Sequence, residues 1–257
     1  MTLGFVGTGT ITTAIVTGLK ADGDDSLAIC LSPRNAAMAA DLAGRFAGVS
    51  LAASNQEVLD ECGTVVLAVR PQVAHAVVSE LQFRPDHHVI SVIAAYPVAR
   101  VAEMVAPAVR VTRAVPLPST AARRGPTVIY PHDPVAVDLF DRVGTAFEVE
   151  TELEFDALAT ATATMATYFA YLDGIASWLT RSGIPDAQAR GYLAQVYSGL
   201  AKTAVENPER SYEELAADHA TRGGINEQVR QHLTSRGVFD AIPEALDAAM
   251  RRVRGAE

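Results

Sequence analysis

Leu3-Gly4-Phe5-Val6-Gly7-Thr8-Gly9-Thr10-Ile11-Thr12-Thr13-Ala14 is the stretch from which the rest of the chain is read. The apolar run at 3–6 has the form of a short buried strand. A Gly-Thr-Gly turn follows at once, and Ile11, Ala14, Ile15 and Leu19 then recur at helical spacing. Gly7 permits a sharp bend, Gly9 has no side chain to block an approaching group, and a helix start offers unpaired N–H groups. A dinucleotide pyrophosphate fits such a turn, with Gly7 and Gly9 among its contacts. The third glycine of the GxGxxG pattern is Thr12 here, and an ordinary glycine turn is the competing reading. The placement between a strand and a helix favours the cofactor.

The 257 residues carry a net charge of -9, and the one basic cluster, Arg251-Arg252-Val253-Arg254, has the form of a solvated helix end. This argues against nucleic acid as a partner, since that binding needs a basic face. No apolar run reaches the roughly 18 residues of a membrane span. The N-terminus lacks the basic start and cleavage site of a signal peptide, so the expected location is cytoplasmic. Cys30 and Cys62 lack CxxC spacing and fit buried reduced thiols better than a disulfide or a metal site.

From residue 20 to about 150, short apolar runs alternate with helical patterns. Strands are expected near 27–31, 64–69, 89–93, 109–115, 126–130 and 145–149, with helices near 35–46, 72–82 and 97–105. That pattern describes a Rossmann-type α/β domain over 1–150, its mostly parallel sheet covered on both faces. After Glu150 the strand signals stop, so 151–257 is expected to be an all-α domain. One long helix over 154–181 is apolar on nearly every side. Such a helix must be buried all round, which a small domain achieves by packing against a second copy of itself. Further helices are expected near 186–206, 211–217, 224–235 and 239–253.

The second strand ends Leu31-Ser32-Pro33-Arg34-Asn35. An enzyme preferring NAD usually places an acid there to hold the ribose 2′-hydroxyl, and none is present. Ser32 and Arg34 suit the 2′-phosphate of NADP instead, a solvated turn arginine being the alternative.

With these elements placed, the chain resembles the pyrroline-5-carboxylate reductase family over essentially its whole length. Asn55 with Glu57 is similar to the family's asparagine segment, and Val65 to Gln72 to its Ala-Val-Lys-Pro-Gln strand end, with Arg70 in place of lysine. Ser91-Val92-Ile93-Ala94-Ala95 resembles its Ser-Ile-Ala-Ala-Gly, and Arg113-Ala114-Val115-Pro116 its Arg-Val-Met-Pro. The resemblance implies reduction of the C=N bond of a cyclic imino acid by NADPH or NADH, in homodimers or larger rings formed through the helical domain. It also implies that Gly9, Thr10, Ile11, Ser32, Arg34, Asn55, Val69, Arg70 and Pro71 line the cofactor. The substrate half departs from the pattern. The family's Ser-Gly-Ser-Gly-Pro-Ala-Tyr is Thr162-Ala163-Thr164-Met165-Ala166-Thr167-Tyr168 here. Its carboxylate-holding Ser-Pro-Gly-Gly-Thr-Thr is Thr221-Arg222-Gly223-Gly224-Ile225-Asn226, followed by Glu227.

Thr160, Thr164, Thr167 and Tyr171 fall at intervals that stack them on one helix face, with Tyr168 beside it. Polar groups in an apolar helix are costly unless paired, and a substrate cleft would account for them. Threonines bonding back to their own helix and tyrosines at a dimer interface are the alternative. Tyr168, Tyr171, Thr164, Asn226 and Glu227 are therefore the candidate catalytic and substrate-orienting residues. Glu227 has the competing reading of a first-turn acid serving the helix dipole. Two other functions remain: a β-hydroxyacid dehydrogenase, which needs a helix lysine although only Lys20 and Lys202 exist, and a non-catalytic NADP-binding regulator.

Overall fold

A computed structural model describes residues 2–21, 23 and 26–255. The chain forms two compact units, one reaching to Ala159 together with Val253–Gly255, the other Thr160–Arg252.

The first unit alternates β1 (Thr2–Val6), α1 (Thr10–Leu19), β2 (Ala28–Leu31), α2 (Ala36–Arg45), β3 (Val49–Leu51), α3 (Asn55–Glu61), β4 (Thr64–Leu67), α4 (Pro71–Val78), β5 (His88–Ser91), α5 (Val98–Val105) and β6 (Arg110–Val115). A 3₁₀ turn at Pro118–Ala122 leads to β7 (Pro126–Tyr130), α6 (Pro134–Asp141), β8 (Thr145–Glu148) and α7 (Glu152–Ala161). The strands form one sheet in the order β3-β2-β1-β4-β5-β6-β7-β8, parallel except for the antiparallel pair β6–β7. The expected α/β architecture is present. The short strand β3 and the helices α3 and α6 were not anticipated.

Both faces of the central strands are buried, as parallel strands require, while the edge strands β3 and β8 are largely exposed. Leu3, Phe5, Ile29 and Leu31 point to one core with Ile15, Leu19, Leu42 and Phe140. Val6, Cys30, Val65 and Leu67 point to the other with Leu59, Val78, Val89 and Val101. Each such side chain contributes about 1.5–3 kcal/mol by leaving water. Cys30 and Cys62 are free and buried in the second core. The adjacent Cys30 thiol and burial push the Cys62 thiol up. In α1, Gly18 admits no side chain, since a Cβ there would lie 2.2 Å from the Thr120 carbonyl oxygen. The helix therefore sits directly against the 3₁₀ turn.

The second unit is helical: a 3₁₀ turn at Thr162–Thr164, then α8 (Met165–Arg181), α9 (Asp186–Glu206), α10 (Tyr212–Asp218), α11 (Ile225–Ser235) and α12 (Ala241–Val253). The single helix expected over 154–181 is instead two helices broken at 162–164. Thr164 Oγ1 donates to the Ala161 carbonyl at 2.8 Å, tightening the backbone there. Within the single chain Ala176 is the buried residue of α8, while Phe169 and Trp178 are left exposed, as expected of a helix that a second copy would cover. Among the described residues no helix is long and apolar enough to cross a membrane.

Candidate active site

The strand order reverses between β1, which neighbours β2, and β4, which continues toward β8. A ligand-binding crevice opens at the carboxyl ends of such strands, and the 7–9 turn lies there. Gly7 has φ +103°, and a Cβ on it would lie 2.5 Å from the Ala68 carbonyl oxygen. No other residue fits. A Cβ on Gly9, in contrast, would meet nothing within 4 Å among the described residues, so this glycine stands open at the N-cap of α1. That pairing of one sterically required glycine and one open glycine suits a pyrophosphate cradle.

The hydroxyls around the turn are used to build it. Ser32 Oγ accepts the Gly7 N–H at 2.8 Å, and Thr8 Oγ1 donates to the Ser32 carbonyl at 2.9 Å. Ser32 is wholly buried, so it supports the turn from below. Thr12, the replacement for the third glycine, is also wholly buried and donates to the Gly7 carbonyl at 2.7 Å. It satisfies a group that would otherwise be an unpaired acceptor.

The other residues expected at the cofactor lie along the same edge. Thr10 and Ile11 begin α1, and Arg34 is exposed in the turn after β2. Asn55 is the first residue of α3, where Ser54 and not Asn55 supplies the cap, its Oγ accepting the Glu57 N–H at 3.1 Å. Val69, Arg70 and Pro71 follow β4, with Arg70 at the N-cap of α4 and Pro71 the first helical residue. Ala94 and Ala95, exposed just after β5, belong to this edge as well, because Ser91 of β5 pairs with Leu67 of β4. Ala95 has φ +54°, a left-handed conformation rare for a residue with a Cβ. The only sequence signal for it was an alanine where the resembled motif has glycine.

In the second unit the threonine stripe does not exist as a continuous face. Thr160 belongs to α7 and its Oγ1 contacts Met250 Sδ at 3.3 Å, Thr164 closes the 3₁₀ turn, and Thr167 is exposed on α8. The break at 162–164 destroys the register between them. Tyr168 and Tyr171 do come together, around Tyr197 of α9. Tyr197 stacks edge-on to both, with ring centroids 6.3 and 5.8 Å apart, and its hydroxyl donates to the Tyr171 hydroxyl at 3.2 Å. Burial, then the Tyr171 hydrogen bond, pushes the Tyr197 phenol up. Sequence spacing within one helix carried no sign of Tyr197.

Asn226 and Glu227 begin α11, but their hydrogen bonds are local. Asn226 Nδ2 donates to the His219 carbonyl at 2.9 Å, and Glu227 Oε2 accepts the Gly223 N–H at 2.6 Å. Among the described residues no group of His, Cys, Asp and Glu could hold a metal ion.

Residues 2–95 match the family model described as NADP oxidoreductase coenzyme F420-dependent, and residues 152–256 match the model for pyrroline-5-carboxylate reductase dimerisation. A pyrroline-5-carboxylate reductase of Vibrio alginolyticus is 26% identical, the match covering 99% of this chain and 97% of that one. Among solved structures, a 1-pyrroline-5-carboxylate reductase from Streptococcus pyogenes shares the fold with TM-score 0.87 at 22% identity, over 99% of this chain and 98% of that one. A Plasmodium falciparum pyrroline carboxylate reductase with NADP bound shares it with TM-score 0.81 at 17% identity, over 99% and 97%. With the glycine turn at the switch point, a dimerisation region of matching type and a relative aligned end to end, this chain is an oxidoreductase similar to the pyrroline-5-carboxylate reductases.

Proposed function

We propose that this chain reduces the C=N bond of a small cyclic imine with NADPH, and that its substrate clamp differs from that of a pyrroline-5-carboxylate reductase. The observation carrying the first half is the turn at 7–9, where Gly7 is required by the Ala68 carbonyl and Gly9 is left open at a helix start. The bound nicotinamide would supply the hydride; the protein's residues bind, orient and deliver a proton. Gly7, Gly9, Thr10 and Ile11 hold the pyrophosphate, with Asn55, Val69, Arg70 and Pro71 along the edge. Ser32 acts by holding Gly7, while Arg34, exposed and with no acid beside it in the turn, takes the 2′-phosphate and sets a preference for NADPH over NADH.

A protonated imine is already electrophilic, so one proton donor suffices. Tyr171 is favoured over Tyr168 for that role, because its oxygen accepts from Tyr197 and its own O–H is left to donate elsewhere. Glu227 supports the altered substrate: it places the chain's own carboxylate on the Gly223 N–H, leaving that donor closed to a ligand carboxylate. A second copy of the chain covers the exposed apolar side chains of α8, among them Phe169 and Trp178, in a homodimer or larger ring.

The β-hydroxyacid dehydrogenase reading lacks its lysine. Lys20 is buried with Nζ on the Leu27 carbonyl at 2.7 Å, and Lys202 lies 3.6 Å from Glu206. The test is consumption of reduced cofactor with pyrroline-5-carboxylate and a panel of carboxylate-free cyclic imines. Turnover of at least one imine supports the reading, and Tyr171→Phe should then lower kcat while leaving NADPH affinity intact. NADPH binding with no turnover on any of them would make the protein a cofactor-binding regulator.

A further inference from the structure

Arg113 is a cation placed in the middle of a buried strand, 3% exposed, and the reaction proposed above makes no use of it. Its Nη1 donates to Glu152 Oε1 at 2.7 Å and to Asp156 Oδ1 at 3.1 Å, and its guanidinium lies 4.2 Å over the ring of Phe155. Among the described residues Nε has no hydrogen-bond partner. Glu152 Oε1 does double service, since it also accepts the Val98 N–H at 2.7 Å. One carboxylate oxygen thus joins β6, the start of α7 and the first N–H of α5.

Just upstream of Val98 is the 94–97 turn, with Ala95 at φ +54°, Tyr96 buried and Pro97 at the N-cap of α5. An alanine leaves the left-handed region readily unless its surroundings hold it there. Val98 is the near anchor of that turn, and Glu152 holds Val98. At its other end the turn leaves β5 beside the end of β4. A dinucleotide whose pyrophosphate sits on the 7–9 turn and whose 2′-phosphate end lies at β2 extends its nicotinamide end toward β4 and β5.

We infer that Arg113 and Glu152 are positioning residues for hydride transfer: together they hold the 94–97 turn in the conformation that seats the nicotinamide end of the cofactor. The inference rests on the NADPH reading above. Arg113 acts only through Glu152, and Glu152 through the Val98 N–H.

The test uses the full chain with Arg113→Lys, which keeps the charge, and Glu152→Ala, which removes the oxygen shared by Val98 and Arg113, each alone and combined with Ala95→Gly. Two ligands are titrated: NADPH, and 2′-phospho-ADP-ribose, which carries the adenine half and the pyrophosphate without nicotinamide. The clamp predicts that both single variants lose about tenfold or more in NADPH affinity or in kcat, the scale of a misplaced reacting group, while fragment affinity stays within about twofold. Glycine adopts the left-handed conformation without the clamp, so Ala95→Gly should recover part of the loss in the Glu152→Ala background. Equal losses for NADPH and the fragment would reduce the pair to a general structural role and overturn the inference, as would variants matching the parent in both. A parent protein that binds neither ligand overturns the cofactor reading, and the clamp with it.

Discussion

Glu227 turns its carboxylate back over the loop preceding α11, where Oε2 accepts the Gly223 N–H at 2.6 Å. A helix start that would receive an anion from outside instead carries one from its own third residue, in the manner of a capping acid. The competing reading of Glu227 as a first-turn acid is thus realised in the geometry. Its chemical consequence is a negative charge on the loop where the proposed reading places the substrate.

Neutralising that charge should move selectivity toward anionic substrates. In Glu227→Gln the ratio of kcat/KM for pyrroline-5-carboxylate to that for 1-pyrroline is expected to rise about twofold to fivefold, the effect of roughly 0.3–1 kcal/mol at an exposed helix terminus. Steady-state kinetics on both imines decides it. An unchanged ratio would remove Glu227 from the substrate site.

Arg34 should set the cofactor preference. Replacing it with alanine is expected to narrow the gap between NADPH and NADH affinities by about 1–3 kcal/mol, the worth of charge-assisted hydrogen bonds to the 2′-phosphate. Titration of the parent and the variant with both cofactors tests this; equal affinities in the parent would refute the reading of the β2 turn.

Ala95 holds a conformation that costs a residue with a Cβ roughly 1–2 kcal/mol. Glycine removes that cost but adds freedom to the unfolded chain, about 0.5–1 kcal/mol on the other side. Ala95→Gly should therefore stabilise the otherwise unaltered protein by a net amount of about 0.5–1 kcal/mol, seen as a raised midpoint in chemical denaturation. A lowered midpoint would mean that the alanine methyl makes contacts outweighing its strain.

His88 makes stability depend on pH. It is buried at the start of β5, with Nε2 lying 3.1 Å from Asp133 Oδ2 outside hydrogen-bond geometry. Burial lowers its pKa from the ordinary 6.5; Asp133 opposes that shift and Arg110 adds to it. The folded state therefore takes up a proton at lower pH than the unfolded state does. This contribution is complete above pH 6.5 and declines as pH falls through that value toward the folded pKa. Thermal midpoints followed from about pH 7.5 to pH 5 should fall less steeply in His88→Gln than in the parent. Parallel slopes would show that other groups govern the decline.

Local periodicity made the main elements legible. The apolar pairs in β1 and β4 and the helical spacing behind the 7–9 turn depend on near neighbours in the chain, as does the missing acid after β2. Residues two, three or four apart share a face whatever the rest of the molecule does. The burial of Cys30 and Cys62 followed from the same apolar runs.

Partners distant in sequence followed no such rule. Arg113 reaches carboxylates 39 and 43 residues away, and Tyr171 meets Tyr197 across 26. The break at 162–164 contains neither glycine nor proline, so the threonine stripe read as one face until the 3₁₀ turn divided it. Thr12 looked like a defect in a glycine motif, yet its hydroxyl closes on the Gly7 carbonyl once α1 brings the two together. A residue's type limits the hydrogen bonds it can make. Which one it makes is decided by the elements packed beside it, because a buried polar atom takes the partner that the fold puts within reach.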